Sequence, residues 1–140
     1  MSVVPDYTNS WTGQDIGGLL RVLPKDIEAF RFDFSYGSKF NQTIEPISTL
    51  LPSWRVNTNT SAVCQQMRKG PLDDDLIENL VKVFDTNVIG LEDIYINYKD
   101  GAIKIDVGRR NITLYGNITK PSYKECKKAI PNILSYNVEP

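Results

Sequence analysis

The stretch that decides the fold is IYINYKDGAIKIDV, residues 94–107. Apolar side chains alternate with polar ones on both sides of the pair Asp100-Gly101. The alternating positions are Ile94, Ile96 and Tyr98 before the pair and Ile103, Ile105 and Val107 after it. Successive side chains of a strand point to opposite faces, and Asp-Gly favours a tight turn between antiparallel strands. The stretch therefore predicts a β-hairpin.

Two further segments extend the predicted sheet. One follows Gly108, and the other, FRFDFSY, places Phe30, Phe32, Phe34 and Tyr36 on one face. An aromatic row of this kind belongs to the core, which is the interpretation we favour, or forms the wall of a pocket for a small apolar ligand, which is kept as the alternative. We expect an antiparallel sheet that includes the strands 30–36, 94–98, 102–107 and 110–118.

Helical segments accompany the sheet. Apolar residues recur every three or four positions over 73–84, and Ser122 and Glu125 predict a capping box that opens a helix over 122–130. A shorter helix is predicted over 61–70. The predicted fold class is α+β, a small antiparallel sheet packed on two or three helices.

The length and composition fit one domain, predicted to span residues 1–140. The chain is 41% hydrophobic and 24% charged, with a formal net charge of −1. This charge gives no global field that would favour nucleic acid as a partner. Residues 1–23 include one proline and three glycines, and we predict that they form a loosely docked arm.

Catalytic and metal-binding classes lack their usual residues in this sequence. The chain contains no histidine, which removes the common general base and the imidazole metal ligands. We predict no enzyme, no cofactor and no metal. The carboxylates Asp73–Asp75 suit a helix start, with a metal site as the less favoured alternative. Any pH response then depends on carboxylates, with these three as candidates.

The two cysteines, Cys64 and Cys126, lie on the predicted helices 61–70 and 122–130. They are either two buried thiols in a reducing compartment or one disulfide in an oxidising compartment. We predict the disulfide. Four Asn-x-Ser/Thr triplets, at residues 41, 59, 111 and 117, are either glycosylation acceptors or polar strand faces, because a strand places residues i and i+2 on one side.

The order of these segments resembles a known family. A cysteine-bearing helix, the hairpin 94–107, a strand with an NITL core and a terminal YKEC are similar to the periplasmic domains of ToxR-type membrane-anchored transcription regulators. They also resemble the small membrane partners of the PsaF/MyfF and VtrC type. The similarity covers Leu51 to Ile130. It implies a non-enzymatic sensory domain that lies outside the cytoplasmic membrane and is anchored to it by a transmembrane helix. Such a domain forms a heterodimer with a membrane regulator, responds to acid or an amphipathic small molecule, and controls virulence-type gene expression.

Partner binding is predicted at the sheet. We expect the hairpin 94–107 and the strand 110–118 to offer exposed edges, with Tyr95, Asn97 and Tyr115 on their polar faces as contact residues. One alternative is a pilin-like structural surface subunit, because residues 112–130 resemble the heads of type IVb pilins. Another is a secreted carrier of a small apolar ligand, with Phe30, Phe32, Phe34 and Tyr36 in its wall.

Overall fold

The computed structural model describes residues 11–34, 47, 49–57, 62–66, 70–86 and 90–140, with the backbone alone at 56, 57 and 62–66. Three helices and nine strands lie within these ranges. The helices are α1 (Gly13–Val22), α2 (Asp74–Thr86) and α3 (Tyr123–Ala129). The strands are β1 (Asp26–Ile27), β2 (Ala29–Phe34), β3 (Arg55–Asn57), β4 (Ala62–Gln66), β5 (Gly70–Pro71), β6 (Leu91–Tyr98), β7 (Gly101–Asp106), β8 (Asn111–Gly116) and β9 (Ser135–Glu139).

Seven strands form the main sheet, in the order β3-β4-β2-β6-β7-β8-β9. Every neighbouring pair is antiparallel except β8 and β9, which are parallel. The predicted hairpin is confirmed as β6 and β7, with Ile94 opposite Ile105 and Ile96 opposite Ile103. The predicted strand 110–118 is confirmed as β8, and the predicted strand 30–36 is confirmed as β2 over residues 30–34, since residues 35 and 36 lie outside the described ranges. The α+β class is confirmed.

The core lies between one face of the main sheet, here called the inner face, and the helices. Side chains in register cross four strands on this face, and all of them are buried. The two rows are Phe30-Ile96-Ile103-Leu114 and Phe32-Ile94-Ile105-Ile112. The helices add their own buried side chains, among them Leu19 from α1 and Leu80 from α2. The opposite side of the sheet is called the outer face.

The first helix contradicts the predicted arm. Thr12 caps α1: its hydroxyl accepts a hydrogen bond from the Asp15 amide at 3.1 Å, and the Asp15 carboxylate accepts one from the Thr12 amide at 2.8 Å. Trp11, Leu19 and Leu20 are buried in the core. The prediction of a loosely docked arm is therefore wrong over residues 11–23, and residues 1–10 lie outside the described ranges.

The glycines of α1 are explained by close helix packing. A Cβ atom on Gly17 would lie 2.5 Å from Cγ2 of Val81 in α2, and one on Gly18 would lie 2.6 Å from the carbonyl oxygen of Ala129 in α3. No side chain fits at these distances, so α1 can approach both neighbours only where it carries glycine. The glycines that suggested a loop are instead needed for the tight packing of a helix.

The predicted helix 61–70 is wrong because its described part is the strand β4. Cys64 lies opposite Phe32 of β2 and opposite Val56 of β3. Residues with good helix propensity are held here in a strand, because ladders on both sides satisfy the backbone. Propensity yields to such tertiary context.

The predicted disulfide between Cys64 and Cys126 is wrong, because Cys126 is a free, buried thiol. The topology gives the reason. Cys126 lies on α3, which contacts β9 through Tyr123 and Tyr136, whereas Cys64 lies on β4, five strand positions away. Five spacings of about 4.8 Å amount to roughly 24 Å, whereas a disulfide needs Cα atoms within about 7 Å. The cysteines therefore give no argument for an oxidising compartment.

Candidate interaction surface

The predicted contact residues Tyr95, Asn97 and Tyr115 all lie on the outer face, but not at a sheet edge. The strands β6, β7 and β8 each pair with a neighbour on both sides, so the edge prediction for 94–107 and 110–118 is wrong. Among the strands that the structure describes, the edges of the sheet are instead β3 and β9. Asn97 and Tyr115 are exposed on either side of Ala102, whereas Tyr95 is half-buried.

Tyr95 is held between two cations. The guanidinium carbon of Arg31 lies 5.1 Å from the Tyr95 ring centroid, and Nζ of Lys104 lies 5.5 Å from it. Arg31, Tyr95 and Lys104 stand in register on adjacent strands, so the sheet itself places them side by side. Each cation–π contact at an exposed site contributes about 0.5–1 kcal/mol. Tyr95 therefore has a structural role on the outer face.

A row of three carboxylates, Asp33, Asp93 and Asp106, crosses β2, β6 and β7 beside these cations. We call it the carboxylate row. Asp33 is 8% exposed and accepts two hydrogen bonds from Arg31, at 3.1 and 3.2 Å. Asp106 accepts a hydrogen bond from the Arg109 amide at 3.1 Å. The carboxylates at the two ends of the row, Asp33 and Asp106, are thus held by hydrogen bonds.

Asp93, the central member, has a raised pKa. Partial burial is the largest cause, followed by the negative charge of Asp106, while Lys104 acts in the opposite direction. Asp33 and the neighbouring Glu92 raise the pKa further. Like charges directly opposite each other on neighbouring strands are destabilising, so protonation of Asp93 relieves repulsion in the folded sheet.

The acidic stretch Asp73–Asp75 serves the start of α2. An oxygen of the Asp73 carboxylate accepts a hydrogen bond from the Leu76 amide at 2.9 Å, which caps the helix. Asp74 instead approaches Arg21 of α1, with 3.8 Å between its carboxylate oxygen and Nε. Over the described ranges, no three acidic or thiol side chains are arranged to hold a metal ion. Asp93 is the better candidate for a pH response than the three residues Asp73–Asp75, because partial burial and the charge of Asp106 raise its pKa.

The predicted ligand wall is core. Phe30, Phe32 and Phe34 are no more than 1% exposed. The Phe32 ring centroid lies 5.5 Å from that of Trp54 and 5.1 Å from that of Phe84. These rings fill the space between sheet and helix, so the core interpretation is confirmed for Phe30, Phe32 and Phe34 and the alternative of a ligand pocket is wrong for them; Tyr36 lies outside the described residues.

A cavity of about 360 Å³ lies away from that row, between the segment 50–54 and the start of α2. Its lining mixes apolar side chains such as Leu50 and Leu76 with polar ones such as Asp75 and Asn79. A ligand site is typically mostly apolar with a few convergent polar groups. The cavity has this general composition, but its lining does not identify a ligand.

The strand β9 carries an exposed apolar strip that the sequence interpretation missed. Leu134, Tyr136 and Val138 alternate on the inner-face side of the strand, with Leu134 65% and Val138 50% exposed. Tyr123 of α3 is exposed and lies 5.6 Å from Tyr136, centroid to centroid, and the Tyr136 hydroxyl donates a hydrogen bond to the Pro121 carbonyl. We call these four residues the edge strip. The alternation of Leu134, Tyr136 and Val138 in the sequence could have revealed the strand.

The backbone of β9 has unpaired groups along the edge that faces away from β8. The Val107 amide donates to the Glu92 carbonyl and the Asn117 amide to the Asp100 carbonyl, and with the register of the ladders this directs the backbone groups of Ile112 and Leu114 toward β9. In the parallel ladder Ile112 is paired with Tyr136 and Leu114 with Val138, so each bonds the residues on either side of its partner. The backbone groups of Ser135, Asn137 and Glu139 therefore point toward β8, and those of Tyr136 and Val138 point away from the sheet. Within the part of the chain that the structure describes, no strand pairs with this side.

Comparison with known proteins adds no assignment to this surface. None of the described helices is both long and apolar enough to cross a membrane. No family model matches the chain, and no curated protein or solved structure is found to be similar to it.

Proposed function

We propose that this chain is a non-enzymatic protein-binding domain, and that the partner binds at the β9 edge. The observation that carries the proposal is the coincidence of two features on one strand. Outward-pointing backbone groups are found on β9, and three of the five large hydrophobic side chains that are exposed in the described structure lie on or beside it: Val138 on the strand, Leu134 just before it and Tyr123 on the adjacent helix α3. An edge of this kind is a template for an added strand.

The chemistry of binding follows from the strand. A partner strand laid along β9 would exchange backbone hydrogen bonds with Tyr136 and Val138. Its alternate side chains would cover Leu134 and Val138, removing apolar surface from water. Natural edges are usually protected by charged residues, proline or a bulge. The β9 segment SYNVE carries one charged residue, Glu139, at its last position, so the edge is weakly protected.

The compartment and the kind of partner are proposed from the resemblance alone. It assigns the domain to the outer side of the cytoplasmic membrane, with a membrane regulator as partner and an acid or an amphipathic molecule as signal. The carboxylate row supports an acid response, because protonation of Asp93 relieves repulsion among Asp33, Asp93 and Asp106. The gene sequence upstream of this segment tests the location: a single transmembrane helix would support it, and a prepilin leader would instead favour the pilin-like subunit.

The binding proposal is tested by capture experiments on cells of the source organism. Val138→Lys places a charge on the edge strip, whereas Val22→Lys makes the same change at an exposed position of α1 outside it. Wild type and Val22→Lys should capture and cross-link the same partner, and Val138→Lys should lose it while keeping its circular dichroism spectrum. Equal capture by all three proteins would reject the β9 edge as the binding site.

A further inference from the structure

We propose that the β9 edge takes an acidic partner segment: an extended strand that is apolar along its middle and carries carboxylates at the end that lies beside Leu134. The inference rests on the proposed function, because it uses the same edge strip, and it names the chemistry of the partner strand. It arises from the charges that border the edge strip, which are positive at the Leu134 end of β9 and negative at the other end.

The backbone of β9 offers the partner a short ladder. The N–H and C=O groups of Tyr136 and Val138 point away from the sheet, and their pairing with an added strand gives about four hydrogen bonds. The partner side chains that stand beside Tyr136 and Val138 would project on the inner-face side, where Tyr123 packs against Tyr136. The middle of the partner is therefore expected to be apolar on that face.

Helix α3 borders the edge strip with lysines. Lys127 lies one helical turn after Tyr123, and its Nζ atom is 5.8 Å from the Tyr123 ring centroid. Lys124 and Lys128 are also exposed on α3. The acidic residue of this helix, Glu125, lines the cavity between the start of α3 and the end of α1. With three lysines and one glutamate, α3 has a net charge of +2, and it borders the inner-face side of the strip with positive charge.

The Leu134 end of β9 also lies beside two arginines. The Leu134 amide donates to the Arg110 carbonyl at 2.9 Å, which places the turn Arg109-Arg110 next to this end. The Arg109 side chain is 85% exposed, and its Nη1 atom lies 3.8 Å from the Asp106 carboxylate, so this exposed pair offsets its charge only in part. At the opposite end of the strand, Glu139 is exposed. The edge therefore runs from positive at Leu134 to negative at Glu139.

An acidic strand satisfies both the backbone and the charges of this edge. Carboxylates at the Leu134 end would face the cations while the partner backbone pairs with Tyr136 and Val138. An anionic lipid surface would attract the same lysines, but it offers no strand to these backbone groups and would repel Glu139. A strand is therefore favoured over a membrane. Electrostatic complementarity of this kind selects the partner and speeds its association.

Three hexapeptides with blocked ends, TVTVEE, TVTVQQ and TVTVKK, test the charge, because they share one apolar alternation and differ in the charge at one end. In an NMR titration at low salt, TVTVEE should bind about tenfold more tightly than TVTVQQ, and TVTVKK should bind most weakly. The amides of Tyr136 and Val138 should become protected from hydrogen exchange when TVTVEE binds. The preference for TVTVEE should shrink in about 1 M salt, which screens exposed charges beyond about 3 Å.

A matched pair of variants locates the cations. Lys127→Glu reverses the charge beside Tyr123, whereas Lys82→Glu makes the same change at an exposed position of α2. Lys82→Glu should keep the wild-type preference for TVTVEE, and Lys127→Glu should bind TVTVEE about tenfold more weakly while its binding of TVTVQQ is nearly unchanged. If Lys127→Glu fails to fold by circular dichroism, Lys127→Gln and Lys82→Gln make the same comparison.

Equal binding of the three peptides, or no binding of TVTVEE up to about 5 mM, would overturn the acidic partner. Binding to phosphatidylglycerol vesicles without binding to TVTVEE would overturn it in favour of a lipid surface. Protection of the Tyr136 and Val138 amides in concentrated protein alone would overturn it in favour of a second copy of the chain. The capture experiment with Val138→Lys decides the proposed function separately, because it tests the edge itself and not the charge of what binds there.

Discussion

The carboxylate row makes Asp93→Asn a stabilising substitution at neutral pH. Asp93 lies directly opposite Asp33 on one side and Asp106 on the other. Since Arg31 offsets the charge of Asp33 through two hydrogen bonds, Asp106 supplies most of the repulsion. A cross-strand pair contributes about 0.2–1 kcal/mol. We therefore expect the free energy of unfolding to rise by about 0.5–1 kcal/mol, which raises the melting temperature by about 2–4 °C.

The effect must depend on pH with a defined sign. The pKa of Asp93 is raised in the folded protein, so the folded state binds this proton more tightly than the unfolded state does. As pH falls through the raised pKa, the wild-type protein regains stability relative to Asp93→Asn. The advantage of the variant should be largest at neutral pH, shrink under acid conditions, and be lost below the ordinary pKa of 3.8.

Thermal and urea unfolding of both proteins across this pH range measure the difference. Glu78→Gln, at an exposed position of α2, removes the same charge and should change stability by less than about 0.5 kcal/mol. A variant at Asp93 that melts below the wild type at neutral pH would refute the reasoning. So would an advantage that stays constant as the pH falls, because the carboxylate row would then not be the cause.

Three further substitutions or measurements test the core and the outer face. Phe32→Ala should lower the free energy of unfolding in urea by about 3–5 kcal/mol, since its ring contacts Trp54 and Phe84; a loss below about 1 kcal/mol would contradict that packing. In a Cys64→Ser background, Cys126, whose pKa burial raises to about 11, should react with Ellman's reagent only as the protein unfolds. Rapid labelling of the native protein would show that this thiol is accessible. Tyr95→Ser should cost about 1–2 kcal/mol through its two cation contacts, whereas Tyr115→Ser should cost less than about 0.5 kcal/mol; equal losses would argue against a structural role of Tyr95.

The elements with strong local signals were predictable from the sequence. The hairpin 94–107 combines strict alternation with an Asp-Gly turn, and the helix 73–84 combines a regular apolar period with an acidic start; both are found at nearly the predicted bounds. In each case the local preference and the tertiary environment agree, which is the condition under which such patterns are reliable.

The failures occur where long-range packing decides. The three glycines of α1 suggested a loop, but two of them are needed because Val81 and the Ala129 carbonyl come too close for a side chain. In the same way, β4 is a strand because β2 and β3 flank it. Neither the close contacts of α1 nor the pairing of β4 with two strands is encoded in the neighbouring sequence, so no local pattern could reveal them.

The candidate interaction surface was also predictable only in part. Alternation correctly placed Tyr95, Asn97 and Tyr115 on the outer face, since period two fixes faces. It does not specify the order of strands in a sheet, and therefore could not show which strands are edges. The short strand β9 was not predicted, although the alternation of Leu134, Tyr136 and Val138 was present in the sequence.

The contact between Trp11 and Pro131 has a consequence for synthesis of the protein. The indole N–H of Trp11 donates to the Pro131 carbonyl, 120 positions along the chain, and the Gly18 surface of α1 packs against the carbonyl of Ala129. While a ribosome is still translating the first hundred codons, α1 has emerged but one of its two helical neighbours has not been made. The part of α1 that packs against α3 must stay uncovered until α3 leaves the exit tunnel. The nascent chain is therefore expected to need chaperone protection late in translation, and the last step of folding should be the docking of α3 beside a helix made long before it.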